Sequence, residues 1–166
     1  NNNAYCLDTA TNWIDWTAIG SEGDALRAFV ARMLRTRREQ AVLPSRHFLD
    51  GKPVGGSGPK DITWIRADGK EMEASDWEGP GVRSLAFVLA GEHGAAPVLV
   101  VLNAHDQPAH YTLPAAASAA RWNRIVDTSR DDHDPDQPVS FVPGDQLTVP
   151  AFSLAVLTGL TWPDGI

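Results

Sequence analysis

The spacing of the apolar residues changes once along this chain, at Pro44, and that change constrains the fold more than any other feature. Before it, Leu26, Phe29, Val30, Met33 and Leu34 recur at i, i+3, i+4, i+7 and i+8, the spacing that lines one face of an α-helix. The pattern predicts a helix over residues 24–42. Ser21 or Asp24 can cap its start, because a side-chain oxygen there accepts from an orphan N–H. Arg35, Arg37 and Arg38 crowd its end, where cations complement the helix dipole, and Pro44 stops it. Upstream, residues 1–6 have no period and are rich in turn formers, and Trp13, Ile14 and Trp16 make a short apolar cluster.

After Pro44 the apolar runs are short and are separated by Gly, Pro, Asp and Asn. Ile62, Trp64 and Ile65 precede Asp68-Gly69, a pair suited to the positive φ of a hairpin turn. Residues 85–89 read as a second strand, and residues 98–102, apolar on both faces, as a central one. Residues 103–108 turn the chain and residues 110–113 return as the partner of that central strand. Residues 122–126, 146–149 and 154–157 follow as strands. Short strands with turns between them predict an antiparallel sandwich or barrel. Residues 115–120 read as a loop, since Pro114 precedes a short alanine run. The KPVGGSGPK stretch, residues 52–60, reads equally as an interdomain linker or as a long hairpin loop.

A helix with a full apolar stripe beside an all-β body is an unusual pairing for one domain. It implies a larger neighbour against which the stripe is buried. The length of 166 residues agrees with one domain plus a piece of another. The formal charge of −7 is divided in the same way: residues 1–45 balance five basic against five acidic side chains, whereas residues 46–166 carry nine against sixteen. Such an acidic surface repels phosphate backbones, so nucleic acid is not expected as a partner. No run approaches the roughly 20 apolar residues of a membrane helix. Asn1 in place of Met, with no basic and apolar leader after it, reads as a start made by processing or truncation, not as a secretion signal. The single cysteine, Cys6, excludes an internal disulfide framework and a cysteine-rich zinc site, and fits a reducing compartment.

Few groups carry recognisable chemistry. There is no G-x-S-x-G nucleophile motif. Gly55-Gly56-Ser57-Gly58 lacks the Lys-Ser/Thr and the helix of a phosphate loop, and reads as a turn. Asp132, Asp134 and Asp136 have the alternate spacing of calcium-loop ligands, but Pro143 stands where the bidentate Glu belongs, so this is a solvated acidic loop. His105 and His110 flank a turn without a third ligand, and no metal site is expected. Cys6 has no activating base close in sequence. Of the six tryptophans, Trp64 and Trp122 lie on strands and read as core. Trp13 and Trp77 lie near loops, where an indole face can instead stack on a sugar.

Asn1-Asn2-Asn3-Ala4-Tyr5-Cys6 followed by Asp8, then Trp13-x-Asp15-Trp16, then a helix ending in Arg35-Thr36-Arg37-Arg38-Glu39, together resemble the isoamylase and bacterial glycogen-debranching branch of the α-amylase superfamily. The resemblance continues through Arg46-His47-Phe48-Leu49-Asp50-Gly51, Lys60-Asp61-Ile62-Thr63-Trp64, Asp76-Trp77, Val101-Leu102-Asn103-Ala104-His105 and the segment from Leu147 to Leu157. It implies a mainly β fold: an antiparallel β-sandwich C-terminal domain, residues 46–166, preceded by the last loop and final helix of a catalytic (β/α)8 barrel, residues 1–45.

That family hydrolyses α-1,6 branch linkages by a retaining mechanism, with a carboxylate nucleophile and an acid/base about 5 Å apart. By resemblance those groups lie on earlier barrel strands and none maps here, so no catalytic residue is assigned and the chain is expected to be inactive by itself. The loop after the last strand sits on the barrel face where active-site loops gather. The resemblance therefore makes Asn3, Tyr5, Asp8 and Trp13 the candidate substrate-binding residues, with loop-to-helix packing as the competing role for Tyr5 and Trp13. The family reads Gln-Asp-Asn-Glu where this chain has Leu7-Asp8-Thr9-Ala10, which removes three polar groups from that loop. The implied partners are branched α-glucan (glycogen or limit dextrin) through the parent enzyme, the catalytic barrel, and a second copy through the exposed helix. No cofactor or membrane is implied, and the setting is cytoplasmic. The competing reading is a stand-alone β-sandwich module that binds glucan or protein.

Overall fold

The structure, a computed structural model, describes residues 3, 5–44, 47–79, 82–90, 95–115, 119–130 and 139–160. The acidic run at residues 131–136, Trp162, most of the first four residues and part of the 115–120 stretch lie outside them. The chain divides into two units, Asn1–Thr36 and Arg37–Ile166, each described by itself.

The first unit holds a loop and most of helix α1, Gly20–Glu39. Glu22 lies in its first turn and Arg37 and Arg38 in its last, each sign complementing the helix dipole. The helix starts and ends a few residues before the predicted 24–42. Its first turn is polar, so apolar spacing could not mark it. At the other end, a helix carried to Pro44 would drive the proline ring into the carbonyl four residues back, that of Gln40. The chain turns at Gln40 instead, where the Leu43 N–H donates to the Gln40 carbonyl at 3.0 Å. No residue of α1 is buried, and Leu26, Val30 and Leu34 are 63%, 45% and 53% exposed.

Among its described residues the second unit carries eight strands: β1 Ile62–Ile65, β2 Ser84–Leu89, β3 Val98–Asn103, β4 Ala109–Thr112, β5 Arg121–Asp127, β6 Val139–Phe141, β7 Gln146–Val149 and β8 Ser153–Leu160. Six form one antiparallel sheet in the order β1-β2-β3-β8-β5-β6, and β4 and β7 form a second, two-stranded antiparallel sheet. The expected mainly β, antiparallel body is present. One core joins the sheets: Ile65, Ala86, Leu99, Val101 and Leu157 of the large sheet cluster with Tyr111, Leu147 and Val149 of the small one. The predicted central strand is β3, flanked by β2 and β8. The three-residue β6 was not foreseen, being too short for an alternation to register.

One predicted pairing is wrong. Residues 110–113 were expected to pair with the central strand, but β4 pairs with β7. Both edges of β3 are already taken, by β2 and β8, so the returning chain has no edge to join. Asn103 directs it away. Its side chain is almost fully buried, and its Nδ2 donates to the carbonyls of Gln107 (2.8 Å), Pro150 (2.9 Å) and Val149 (3.1 Å), while its Oδ1 accepts from His105 N–H (3.0 Å). These bonds fix the turn after β3 against the end of β7.

The Asp68-Gly69 turn forms as expected, with Arg66 N–H donating to Lys70 O at 2.8 Å and Met72 N–H to Trp64 O at 2.8 Å. Gly69 has φ +82°, and a Cβ there would lie 2.8 Å from the Thr112 carbonyl oxygen. Glycine is thus required by both conformation and space. The strand that pairs with β1, however, is β2. The glycine-rich stretch 52–60 is a closed loop within the second unit: Val54 N–H donates to Pro59 O at 2.9 Å and Asp61 N–H to Lys52 O at 3.0 Å. The hairpin-loop reading therefore holds and the linker reading does not.

Trp122 is core as expected, with no exposed surface and its Nε1–H donated to Pro114 O at 3.0 Å. Trp64 is only half-buried. It pairs with Phe87 in register, one position out of phase with the core-facing pair Ile65–Ala86. Successive side chains alternate faces, so Trp64 lies on the face of the large sheet turned away from the core.

Candidate functional site

The loop that opens the chain is held by its own polar side chains. Asn3 Oδ1 accepts from the Tyr5 N–H at 3.1 Å. Tyr5 and Cys6 follow with φ of 47° and 56°, two consecutive non-glycine residues in the left-handed region, each costing on the order of 1 kcal/mol. Asn12 then closes the loop, its Nδ2 donating to Leu7 O at 3.0 Å and its N–H to Thr9 O at 2.9 Å. That closure brings Trp13 back, and its indole Nε1–H donates to Asp8 Oδ1 at 2.5 Å. The four predicted residues are thus tied into two pairs, Asn3 with Tyr5 and Asp8 with Trp13.

All four are exposed, Tyr5 and Trp13 at 76% and 64%. An exposed indole tied to a carboxylate through its Nε1–H can stack on a flat apolar ring. Further along, Asp15 Oδ1 accepts from the Thr17 hydroxyl (2.6 Å) and the Thr17 N–H (2.9 Å). These two bonds, the hydroxyl first, hold the Asp15 carboxyl below the usual carboxylate range. Asp15 stays ionised and organises the turn into α1.

The two histidines that flank the turn have separate partners. His105 Nδ1 lies 2.6 Å from Asp106 Oδ1 and 3.0 Å from the Gln107 backbone nitrogen, whereas His110 Nδ1 faces Thr148 Oγ1 at 3.1 Å. Among the described residues no three His, Cys, Asp or Glu side chains come together to hold a metal, and no helix is long and apolar enough to cross a membrane. Sequence reading missed Phe152, which is 74% exposed with φ 49° and borders an open cleft of about 360 Å³ with Leu102, Thr128 and Leu154. Lying beside an apolar strand, it gave no signal that set it apart from a core residue.

Comparison with known proteins places the chain in a family. The model of the isoamylase C-terminal domain matches residues 61–150. The chain is 33% identical over 169 aligned positions to the glycogen operon protein GlgX homolog of Mycobacterium tuberculosis, covering 95% of this chain and 23% of that protein. It is 30% identical to the glycogen debranching enzyme of Serratia proteamaculans, covering 80% of this chain and 17% of that one. It is 25% identical to an isoamylase of Flavobacterium, covering 78% and 17%. The chain thus spans less than a quarter of the length of these curated relatives.

Proposed function

We propose, from the fact that this chain belongs to the isoamylase C-terminal family, that it is the C-terminal portion of a cytoplasmic α-1,6-glucan debranching hydrolase that breaks down glycogen or limit dextrin. One observation carries this reading: 95% of the chain, both units included, aligns with less than a quarter of a relative named for the glycogen operon. Residues 46–166 are then a supporting β-sandwich domain. Residues 1–45 are the last loop and final helix of a catalytic (β/α)8 barrel, and the exposed stripe of α1 is the face that packs on barrel strands. A stand-alone binding module has no use for such a stripe, which disfavours the competing reading.

On this reading Asn3, Tyr5, Asp8 and Trp13 sit on the barrel face where substrate binds. The Asp8–Trp13 bond orients an indole toward the glucan, and the strained Tyr5–Cys6 turn fixes the loop's path. The carboxylate pair that a retaining glycosidase requires belongs to other parts of the enzyme, so the chain alone performs no hydrolysis. The test is to incubate glycogen limit dextrin with this chain and, separately, with the whole protein that includes the barrel. New reducing ends are expected from the whole protein only. Release by the chain alone would overturn its assignment as a non-catalytic portion. Silence from the folded whole protein would overturn the debranching assignment.

A further inference from the structure

Trp77 lies on a short 3-10 helix, Ala74–Glu78, in the β unit. Its indole is 53% exposed, and it is anchored from below. Trp64 contacts it edge to face, with ring centroids 5.2 Å apart and planes at 82°, and Phe87 contacts Trp64 in turn at 5.3 Å and 63°. Three rings in series therefore run from the outward face of the large sheet to the surface. The helix that carries Trp77 is closed by a capping box: Glu73 N–H donates to Asp76 Oδ2 at 2.7 Å, and the Glu73 side chain accepts from the Asp76 N–H. An exposed indole held in this way has little conformational freedom to lose on binding.

Charged groups gather around Asp76, the residue that precedes Trp77. Arg66 Nη2 lies 3.1 Å from Asp68 Oδ2, and its Nη1 lies 4.0 Å from Asp76 Oδ2. All three side chains keep part of their surface in solvent. Burying them under a protein partner would cost desolvation, and charged residues are depleted at the centres of protein interfaces. A sugar chain suits the site better. A glucosyl ring offers a flat apolar face to the indole and hydroxyls at its rim to the carboxylates and the guanidinium, while water remains.

We propose that Trp77, with Arg66, Asp68 and Asp76 at its rim, forms a surface site that holds an α-glucan chain. The identity of the sugar rests on the debranching reading above, whereas the site itself rests on the rings and their charged rim. Its role is to tether the β unit to the polysaccharide.

The test uses the 166-residue chain, with gel retardation by glycogen and calorimetric titration with maltoheptaose. Wild type is expected to bind both. Trp77→Ala is expected to weaken binding about tenfold, the loss of one aromatic stack. Trp77→Leu, which keeps an apolar side chain against Trp64 but no flat ring, is expected to lose as much with an unfolding midpoint close to wild type. Wild-type affinity in Trp77→Leu, or no binding by wild type, would overturn the proposal. So would loss on Trp13→Ala alone, which assigns the sugar to the opening loop, or relief of self-association by Trp77→Leu without loss of sugar binding, which marks a protein-docking face. Hydrolysis by the whole enzyme is read separately, so debranching activity beside an unaltered Trp77 variant overturns this site and leaves the enzyme reading in place.

Discussion

Tyr111 spans the two sheets of the β unit. It lies on β4 with 4% of its surface exposed, and its hydroxyl donates to Ser84 Oγ on β2 at 3.0 Å. Burial pushes the phenol pKa above its ordinary 10.0, and the Ser84 hydroxyl offsets part of that rise. The folded chain therefore holds this proton more tightly than the unfolded chain does. The resulting stability is fully present below the ordinary phenol value and is lost as pH rises through the raised, folded-state value. Tyr111→Phe is expected to cost about 1 kcal/mol at neutral pH, the net worth of one hydrogen bond, and to flatten the alkaline fall. Urea midpoints from neutral pH to above the phenol range check this, and parallel curves for the two proteins would refute it. At this scale the sequence was partly legible. Trp122 read as core because it sits in an apolar strand. Asn103 read only as the start of a turn, because its burial depends on carbonyls that arrive from residues far along the chain.

Strand β5 shows why elements were easier to find than their details. Its place was legible from its apolar residues, but its alternation is broken where Ile125 and Val126 stand together. The register slips at that point, between Arg124 and Val126, so the strand carries one extra residue. In a regular strand, residues three apart point to opposite faces. The bulge cancels this and re-aims the side chains, which lets Arg124 Nη1 meet Asp127 Oδ2 at 2.9 Å with side-chain exposures of 13% and 6%. Asp127 also accepts from the Ser129 hydroxyl (2.6 Å) and N–H (3.1 Å). Asp127→Ala strands a largely buried guanidinium and is expected to cost about 3 kcal/mol. The double variant Arg124→Met/Asp127→Ala should recover much of that, since it removes both charges. Denaturant midpoints of the two variants decide the point: a double variant no more stable than the single one would mean that the bulge, not the charge pair, sets the cost. Partnership of strands was less legible than their positions, as β4 shows, because pairing depends on which edges remain free.

At the scale of the whole molecule, the exposed apolar surface of α1 has the widest consequence. Leu26, Val30 and Leu34 lie at i, i+4 and i+8 on one face, and each is more than two-fifths exposed. The helix was legible because this stripe is regular. The cover for the stripe was not, since periodicity shows that a face is apolar without showing what it meets. Contiguous apolar patches of a few hundred Å² are normally covered, and on the reading proposed above the cover is a barrel. Without it, water drives such faces together, so the chain is expected to self-associate through α1 as its concentration rises. Sedimentation velocity over a wide concentration range should show a growing heavier species. Leu26→Glu combined with Leu34→Glu should abolish it while leaving the helical circular-dichroism signal in place, because both changes are to exposed positions and glutamate supports helix. A wild-type chain that stays monomeric throughout, with its helical signal intact, would show that this stripe does not drive association. Joining the chain to the barrel should suppress the heavier species as the double variant does, and persistence of association in the whole enzyme would mean that the barrel does not cover this face.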